Sequence, residues 1–308
     1  MNAGTNTDYG HDLLFGTFVT PTNHPAHQAV EQAIVADRAG LDLVTFQDHP
    51  YVASFHDTST LLAYAAARTE RIHLSANVTN LPLRPPAVLA RAVATLDLLS
   101  GGRVELGIGA GAFWDGVAGM GGPRRRPGES IEALEEAIAI IRGVWDTNDR
   151  SILSVPGKHY DVHGAKRGPA PAHPIGIWVG AYKPRILRLV GRAADGWLPS
   201  MQYLQNGLPD LADMNRHIDE GALAAGREPR EIRRFLNIGG QFASQSRGFL
   251  QGPPRQWADE LTEVALTYGT SGFILASDDT TLTQTFAAEV APAVKELVST
   301  TRGTGRHE

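Results

Sequence analysis

The chain has 308 residues, 28 Lys and Arg against 33 Asp and Glu, a formal charge of −5 and 42% hydrophobic residues. That size and balance suit a globular α/β barrel or two ordinary domains, and the acidic surplus speaks against a general nucleic-acid binder, which carries a basic surface. With no cysteine at all, disulfides, thiol nucleophiles and cysteine-ligated zinc are excluded, and a cytoplasmic setting fits.

The first twelve residues, MNAGTNTDYGHD, lack the basic start and apolar core of a signal peptide and read as a flexible extension. No apolar run approaches the ~20 residues needed to span a bilayer. Strand and helix signals then alternate, which predicts βαβ units and a parallel sheet. Leu13 to Val19 is the first strand, Gln28 to Ala39 a helix stopped by Gly40, Leu43 to Phe46 the second strand and Thr58 to Ala67 its helix. Leu74 to Val78 is the third strand. A proline-laden turn, Asn80 to Pro86, leads to a helix over Ala87 to Leu99, stopped by Ser100-Gly101-Gly102. The fourth strand, Val104 to Ile108, opens into a glycine-rich loop, Gly109 to Gly111.

Gly116 to Gly128 reads as a flexible insertion, and Ser130 to Trp145 as an amphipathic helix. Arg150 to Pro174 is a long excursion with a β-ribbon through Lys158 to Asp161. Strands follow at Ile175 to Val179, Gly196 to Leu198, Phe235 to Ile238 and Gly272 to Leu275. Their helices are Arg185 to Ala193, Leu211 to Ala225, Trp257 to Tyr268 and Leu282 to Leu297. Eight such pairs predict a (β/α)8 TIM barrel, one domain spanning the 308 residues. The alternative, an open doubly wound sheet, has fewer strands and a first-strand GxGxxG that this chain lacks.

A barrel site lies at the C-terminal ends of the strands. That selects Gln47, Asp48 and His49, Asn77 to Asn80, Gly109 to Asp115, Gly180 to Arg185 and Ser200, among others. His49 is the catalytic candidate, because imidazole exchanges a proton near neutrality. Asp48 is its neighbour, but adjacent strand residues face opposite ways, so the pair is not read as a dyad. The Gly109–Gly111 loop, and Gly180 to Lys183 leading to Pro184 at a helix start, expose N–H groups suited to an anion. Lys183 and Arg185 add positive charge to that cradle.

Arg84 reads as structural, and Asp97 and Arg103 as a polar packing contact. Arg124 to Arg126 read as a solvated loop. Phe113 and Trp114 are aromatic candidates for the wall of a pocket. His24, Phe55, Trp114 and Phe242 are candidates for a partly apolar substrate pocket. The histidines His24, His27, His56, His159, His163 and His173 show no metal-ligand spacing, so no metal is expected.

In combination, three groups of residues resemble the bacterial luciferase-like superfamily of flavin- and deazaflavin-dependent oxidoreductases. They are Asn77-Val78 with Arg84 and Pro86, then Leu96-Asp97 with Ser100-Gly101-Gly102-Arg103, then Gly107-x-Gly109-x-Gly111. Gly16-Thr17-Phe18, Asp48-His49, Gly180-Ala181-x-x-Pro184-Arg185 and Ala194-Asp195-Gly196-Trp197 extend the resemblance over nearly the whole chain. It implies a histidine beside the flavin ring at His49 and a non-proline cis peptide at Asn77-Val78. It also implies a cofactor cradle of Asp48, Asn77, Val78, Gly109, Gly111, Ala112, Gly180, Ala181, Tyr182, Lys183 and Arg185, the last segment taking the cofactor phosphate. One position departs. The family's sugar-phosphate dehydrogenases carry a glutamate just after the second loop glycine, and here that residue is Ala110.

The resemblance implies a hydride-transferring oxidoreductase that uses deazaflavin (F420) on a small organic substrate, with FMN-dependent monooxygenation as the alternative. A homodimer through the second and third barrel units is expected, because the helix from Thr58 is apolar over much of its surface. Rivals are a flavin-binding protein without turnover, and a barrel lyase or aldolase. The last would need a Schiff-base lysine or metal ligands at strand ends.

Overall fold

The computed structural model describes residues 8–304. Its centre is a barrel of eight parallel strands: β1 (Leu14–Val19), β2 (Leu43–Phe46), β3 (His73–Ala76), β4 (Leu106–Gly109), β5 (Ile177–Gly180), β6 (Gly196–Trp197), β7 (Arg233–Ile238) and β8 (Gly272–Ala276). They pair in the order β3-β2-β1-β8-β7-β6-β5-β4, and a Leu74 to Val104 bridge joins the two ends of that order. The third strand ends at Ala76, two residues earlier than its apolar run, and the Asn77-Val78 peptide that follows is cis. Thr79–Asn80 then pairs with Ile108 and Gly109, so the ring is closed again at its upper rim.

The main helices cover the outside: α1 (Gln28–Ala39), α2 (Thr58–Ala66), α3 (Pro86–Ser100), α4 (Pro127–Trp145), α5 (Pro184–Ala193), α6 (Asp210–Ala224), α7 (Pro254–Tyr268) and α8 (Ala291–Thr304). Their ends follow local chemistry. Gly40 closes α1 at φ 90°, a left-handed conformation open to glycine. Asp57 caps α2 by accepting the Thr60 N–H at 2.9 Å. The fourth helix starts three residues before the expected Ser130, with Pro127 in its first turn and the Glu129 carboxylate accepting the Arg126 N–H at 2.8 Å. The segment expected to be a flexible insertion contains a short helix, Trp114–Gly119. The excursion before β5 does form a ribbon, but its strands are Leu153–Val155 and Val162–Ala165, and Lys158 to Asp161 make the turn between them.

Most of the core lies between sheet and helices. The barrel interior holds a second cluster, Leu43, Trp178, Leu198, Phe235 and Ile274, with the Trp178 and Phe235 rings 4.4 Å apart. These bulky side chains fill the lower barrel and leave space only above them. Residues 8–12, expected to be flexible, are tied down where described. Asp8 pairs with Arg302 at 2.7 Å, and Tyr9 donates to Asp219 at 2.8 Å beneath Arg234; residues 1–7 lie outside the described residues.

Candidate active site

A cavity of about 510 Å3 opens at the C-terminal ends of the strands. Its position follows from the barrel, whose strand ends are unpaired and whose lower interior is filled. The end of β2 supplies one wall. Asp48 and His49 diverge there, as strand alternation requires. The Asp48 carboxylate is buried and takes two hydrogen bonds from Arg84, both at 2.9 Å, and one from the Asn80 N–H at 2.9 Å. Arg84 also reaches Asp57, the cap of α2, at 2.8 Å. Asp48 thus braces the loop that carries Asn80, and Arg84 is structural.

His49 faces Tyr51 and Phe113. Its Nδ1 lies 2.6 Å from the Tyr51 hydroxyl, and its ring stands edge-on to Phe113 at 5.4 Å. Burial lowers the imidazole pKa, against the opposing pull of Asp48, so the ring is neutral at pH 7. Burial likewise raises the Tyr51 hydroxyl, which keeps its proton.

The floor is built around the cis Asn77-Val78 peptide. The Asn77 amide is engaged across the barrel, donating to Asn237 Oδ1 at 2.8 Å, while Asn237 donates to Ser200 at 3.0 Å. Val78 lies against Gly109 and Gly180. A Cβ on Gly109 would stand 2.7 Å from a Val78 methyl, so only glycine leaves room there. The Asn80 Oδ1 atom on the same wall is buried without a partner.

The third wall is the β5–α5 connection. Gly180 to Lys183 line the cavity, Tyr182 accepts the Ser200 N–H at 2.7 Å, and Pro184 opens the helix, with the first free N–H groups beyond it. Among the described residues that line the cavity, Lys183 is the one lysine or arginine.

This arrangement agrees with the comparisons. Residues 10–244 match the model of the luciferase-like monooxygenase family. The chain belongs to that family. A curated relative, the F420-dependent glucose-6-phosphate dehydrogenase of Kineococcus radiotolerans, is 32% identical over 75% of this chain and 68% of its own length. The fold matches an F420-dependent secondary alcohol dehydrogenase at TM-score 0.77, with 20% identity over 92% of this chain and 99% of the other. It also matches the monooxygenase RslO1 of Streptomyces bottropensis at TM-score 0.76, with 19% identity over 91% and 99% of the two chains.

In this luciferase-like barrel, His49 and every expected cradle residue except Arg185 lie on the cavity wall. Arg185 turns outward to Glu132 at 3.2 Å, because it lies beyond the helix start and a charged partner on α4 draws it there. The expected substrate pocket is also redrawn. His24 is exposed on a loop that folds onto the next one through a Thr22 to Phe55 bridge, and neither His24 nor Phe55 is on the wall. Trp114 packs beside Gly111 from behind, and Phe242 stacks on Trp257 at 4.5 Å. The aromatic wall is instead Phe18, Tyr51, Phe113, Tyr182 and Tyr203. Phe113 is turned toward His49 by a positive φ of 52°, a conformation that the helical and strand periods do not encode.

Asp97 and Arg103 serve different seams. Asp97 accepts the Val104, Ala172 and His173 N–H groups, while Arg103 donates to the carbonyls of Ala66, Thr69, Ile72 and Ser100. In the triple-arginine segment, Arg124 pairs with Asp115 and Arg125 lies 4.9 Å over the Tyr160 ring.

Proposed function

We propose that this protein is an F420-dependent oxidoreductase that moves a hydride between the deazaflavin and a small, uncharged organic substrate. The observation that carries it is the cavity itself, in a chain 32% identical to an F420-dependent dehydrogenase. The residues present fit a planar ring with an anionic tail. Val78, backed by Gly109 and Gly180, offers a flat support, and the unpartnered Asn80 Oδ1 offers an acceptor. Lys183 and the N–H groups at the start of α5 offer a phosphate cradle. When bound, F420 supplies the hydride donor or acceptor.

The chain's own residues then manage the proton. Neutral His49 takes the substrate hydroxyl proton at Nε2, the nitrogen left free, while its Nδ1–H donates to the Tyr51 oxygen; in the reverse direction the proton returns. Phe113 and Tyr51 pack edge-on against the His49 ring, each with its centroid 5.4 Å away.

Two features separate the substrate from that of the glucose-6-phosphate dehydrogenases. The resemblance implies a glutamate in the sugar-phosphate enzymes at the position where this chain has Ala110. Lys183 is the one lysine or arginine among the described residues lining the cavity, and a cofactor phosphate held there would leave none for a phosphorylated substrate. The test is anaerobic turnover with F420 and a panel of neutral alcohols beside glucose-6-phosphate. Reduction of F420 by an alcohol and not by the sugar phosphate supports the reading. Consumption of reduced FMN that requires dioxygen would assign monooxygenation instead, and binding without any turnover a carrier.

A homodimer belongs to the same proposal. The outer face of α2 is Ser59, Thr60, Ala63 and Tyr64, and α3 adds exposed Val88 and Leu99, 65% and 81% accessible. Between the helices runs an apolar groove of about 470 Å3. A second copy of this chain, meeting the same face across a two-fold axis, is the occupant proposed for it. Light scattering at micromolar concentration tests it, a mass near 33.1 kDa arguing for the monomer.

A further inference from the structure

At the opposite mouth of the barrel, three side chains from the starts of consecutive strands converge. His73 is the first residue of β3, Glu105 immediately precedes β4, and His173 lies ahead of β5. Glu105 Oε1 is 3.4 Å from His73 Nδ1 and 3.2 Å from His173 Nε2, and one ligand atom from each of the three lies within 4.8 Å of the others. The two rings stand at 86° to each other, 5.9 Å apart. We propose that His73, Glu105 and His173 form a structural site for a divalent transition metal of the Zn2+ class.

Four observations carry it. The two carboxylate–imidazole separations, 3.4 and 3.2 Å, match the edge of a tetrahedron around zinc, ~3.3 Å for ligands at ~2.0–2.1 Å. Glu105 and His173 each have their other polar atom already fixed. Glu105 Oε2 accepts the Gly176 N–H at 2.7 Å, and His173 Nδ1 is 2.9 Å from Asp97 Oδ1. Of the two ring nitrogens, that carboxylate–histidine pairing leaves Nε2, 3.2 Å from Glu105 Oε1, to face a metal, as in the outer shells of many zinc centres. Charge agrees as well. Two carboxylates, Asp97 and Glu105, face two imidazoles, and the guanidinium of Arg233, whose field reaches Glu105, donates to the carbonyls of Asp12 and Ser271. Two imidazoles and one carboxylate select zinc, nickel or cobalt over calcium or magnesium. His73 is 41% exposed, so a fourth position is open to water.

The role follows from the place. The β3–β4 seam closes the barrel through a single Leu74–Val104 bridge at this end. A metal held from both sides of that seam, and from the segment before β5, ties three strands together far from the active site.

Untagged protein is dialysed against chelator and titrated with Zn2+ by calorimetry, and with Co2+ by absorption, while the melting temperature is followed. One equivalent binding with a roughly micromolar or tighter Kd, tetrahedral Co2+ absorption and a rise of several degrees are expected. His73→Ala, at the most exposed ligand, and Glu105→Gln weaken binding at least roughly tenfold. His163→Ala, at an exposed histidine elsewhere, leaves it unchanged. Absence of saturable binding at roughly 100 µM metal overturns the site. So does stoichiometric binding that survives in both ligand variants. The metal-free melting temperature of His73→Ala, close to that of the parent, separates lost binding from lost fold.

Discussion

The Nδ1 atom of His49 lies 2.6 Å from the hydroxyl of Tyr51, at the edge of a cavity walled by aromatic rings. The contact fixes the orientation of a ring that burial keeps neutral, and it leaves one nitrogen for the substrate.

His49→Ala is therefore expected to lower kcat by roughly 100- to 10,000-fold, while F420 affinity and melting temperature stay near the parent values. Because the imidazole pKa is lowered, the parent should hold its alcohol-oxidation rate below the usual histidine range and lose it only as the ring protonates at more acid pH. That acid limb is absent in the variant. Tyr51→Phe costs on the order of tenfold in kcat with little change in KM, as one orienting hydrogen bond is lost. Steady-state kinetics across pH check all three.

The Asp48–Arg84 pair makes a prediction about fold and site together. Asp48→Asn removes a charge from a pair whose carboxylate side chain is 1% exposed. It should cost roughly 3 kcal/mol of stability, less whatever Asp57 recovers for Arg84. Loosening of the Asn80 loop should also weaken cofactor binding. Chemical denaturation and F420 titration of the same preparation measure both.

Lys183 and Arg185 separate cleanly. Lys183→Ala should weaken F420 binding by roughly ten- to a hundredfold, the worth of one charge-assisted contact. Arg185→Ala should change it less than about twofold, because its guanidinium is on Glu132 outside the cavity. Equal losses in the two variants would place the phosphate along the outer face of α5 instead.

Much of this was legible in the sequence, because the strands are short apolar runs closed by glycine or proline. Gly40 and Pro184 mark ends that the structure keeps to the residue. The β2 boundaries, Leu43 and Phe46, are also as read. Three things were not legible in the apolar pattern. β3 stops at Ala76 where that pattern carries on through Val78, although the family resemblance did imply the cis Asn77-Val78 peptide that follows. Side-chain direction beyond a strand end is set by loop dihedrals and by distant partners, which is why Arg185, His24, Phe55 and Trp114, expected at the site, lie off the cavity wall. His73, Glu105 and His173 lie too far apart in sequence for ligand spacing to reveal them, and only barrel closure brings them together.

Acid sensitivity has its own marker in His11. Burial first, then Arg233 and Arg234, press its pKa down to about 4, and its Nε2 is buried without a partner. The unfolded chain takes up this proton first as pH falls. The resulting stability is complete above the ordinary imidazole value of ~6.5 and is lost as pH drops from there toward the folded value. The expected loss is on the order of 1 kcal/mol after solvent screening. Urea denaturation at several pH values should show this slope in the parent and a flatter one in His11→Gln.

The most direct measurement is the pair of dissociation constants for F420 and FMN on the same purified protein. An F420 enzyme with its phosphate on Lys183 binds F420 at least roughly tenfold tighter than FMN, and Lys183→Ala weakens F420 binding by roughly ten- to a hundredfold. Tighter binding of FMN, or F420 binding unaltered by the lysine substitution, would contradict it.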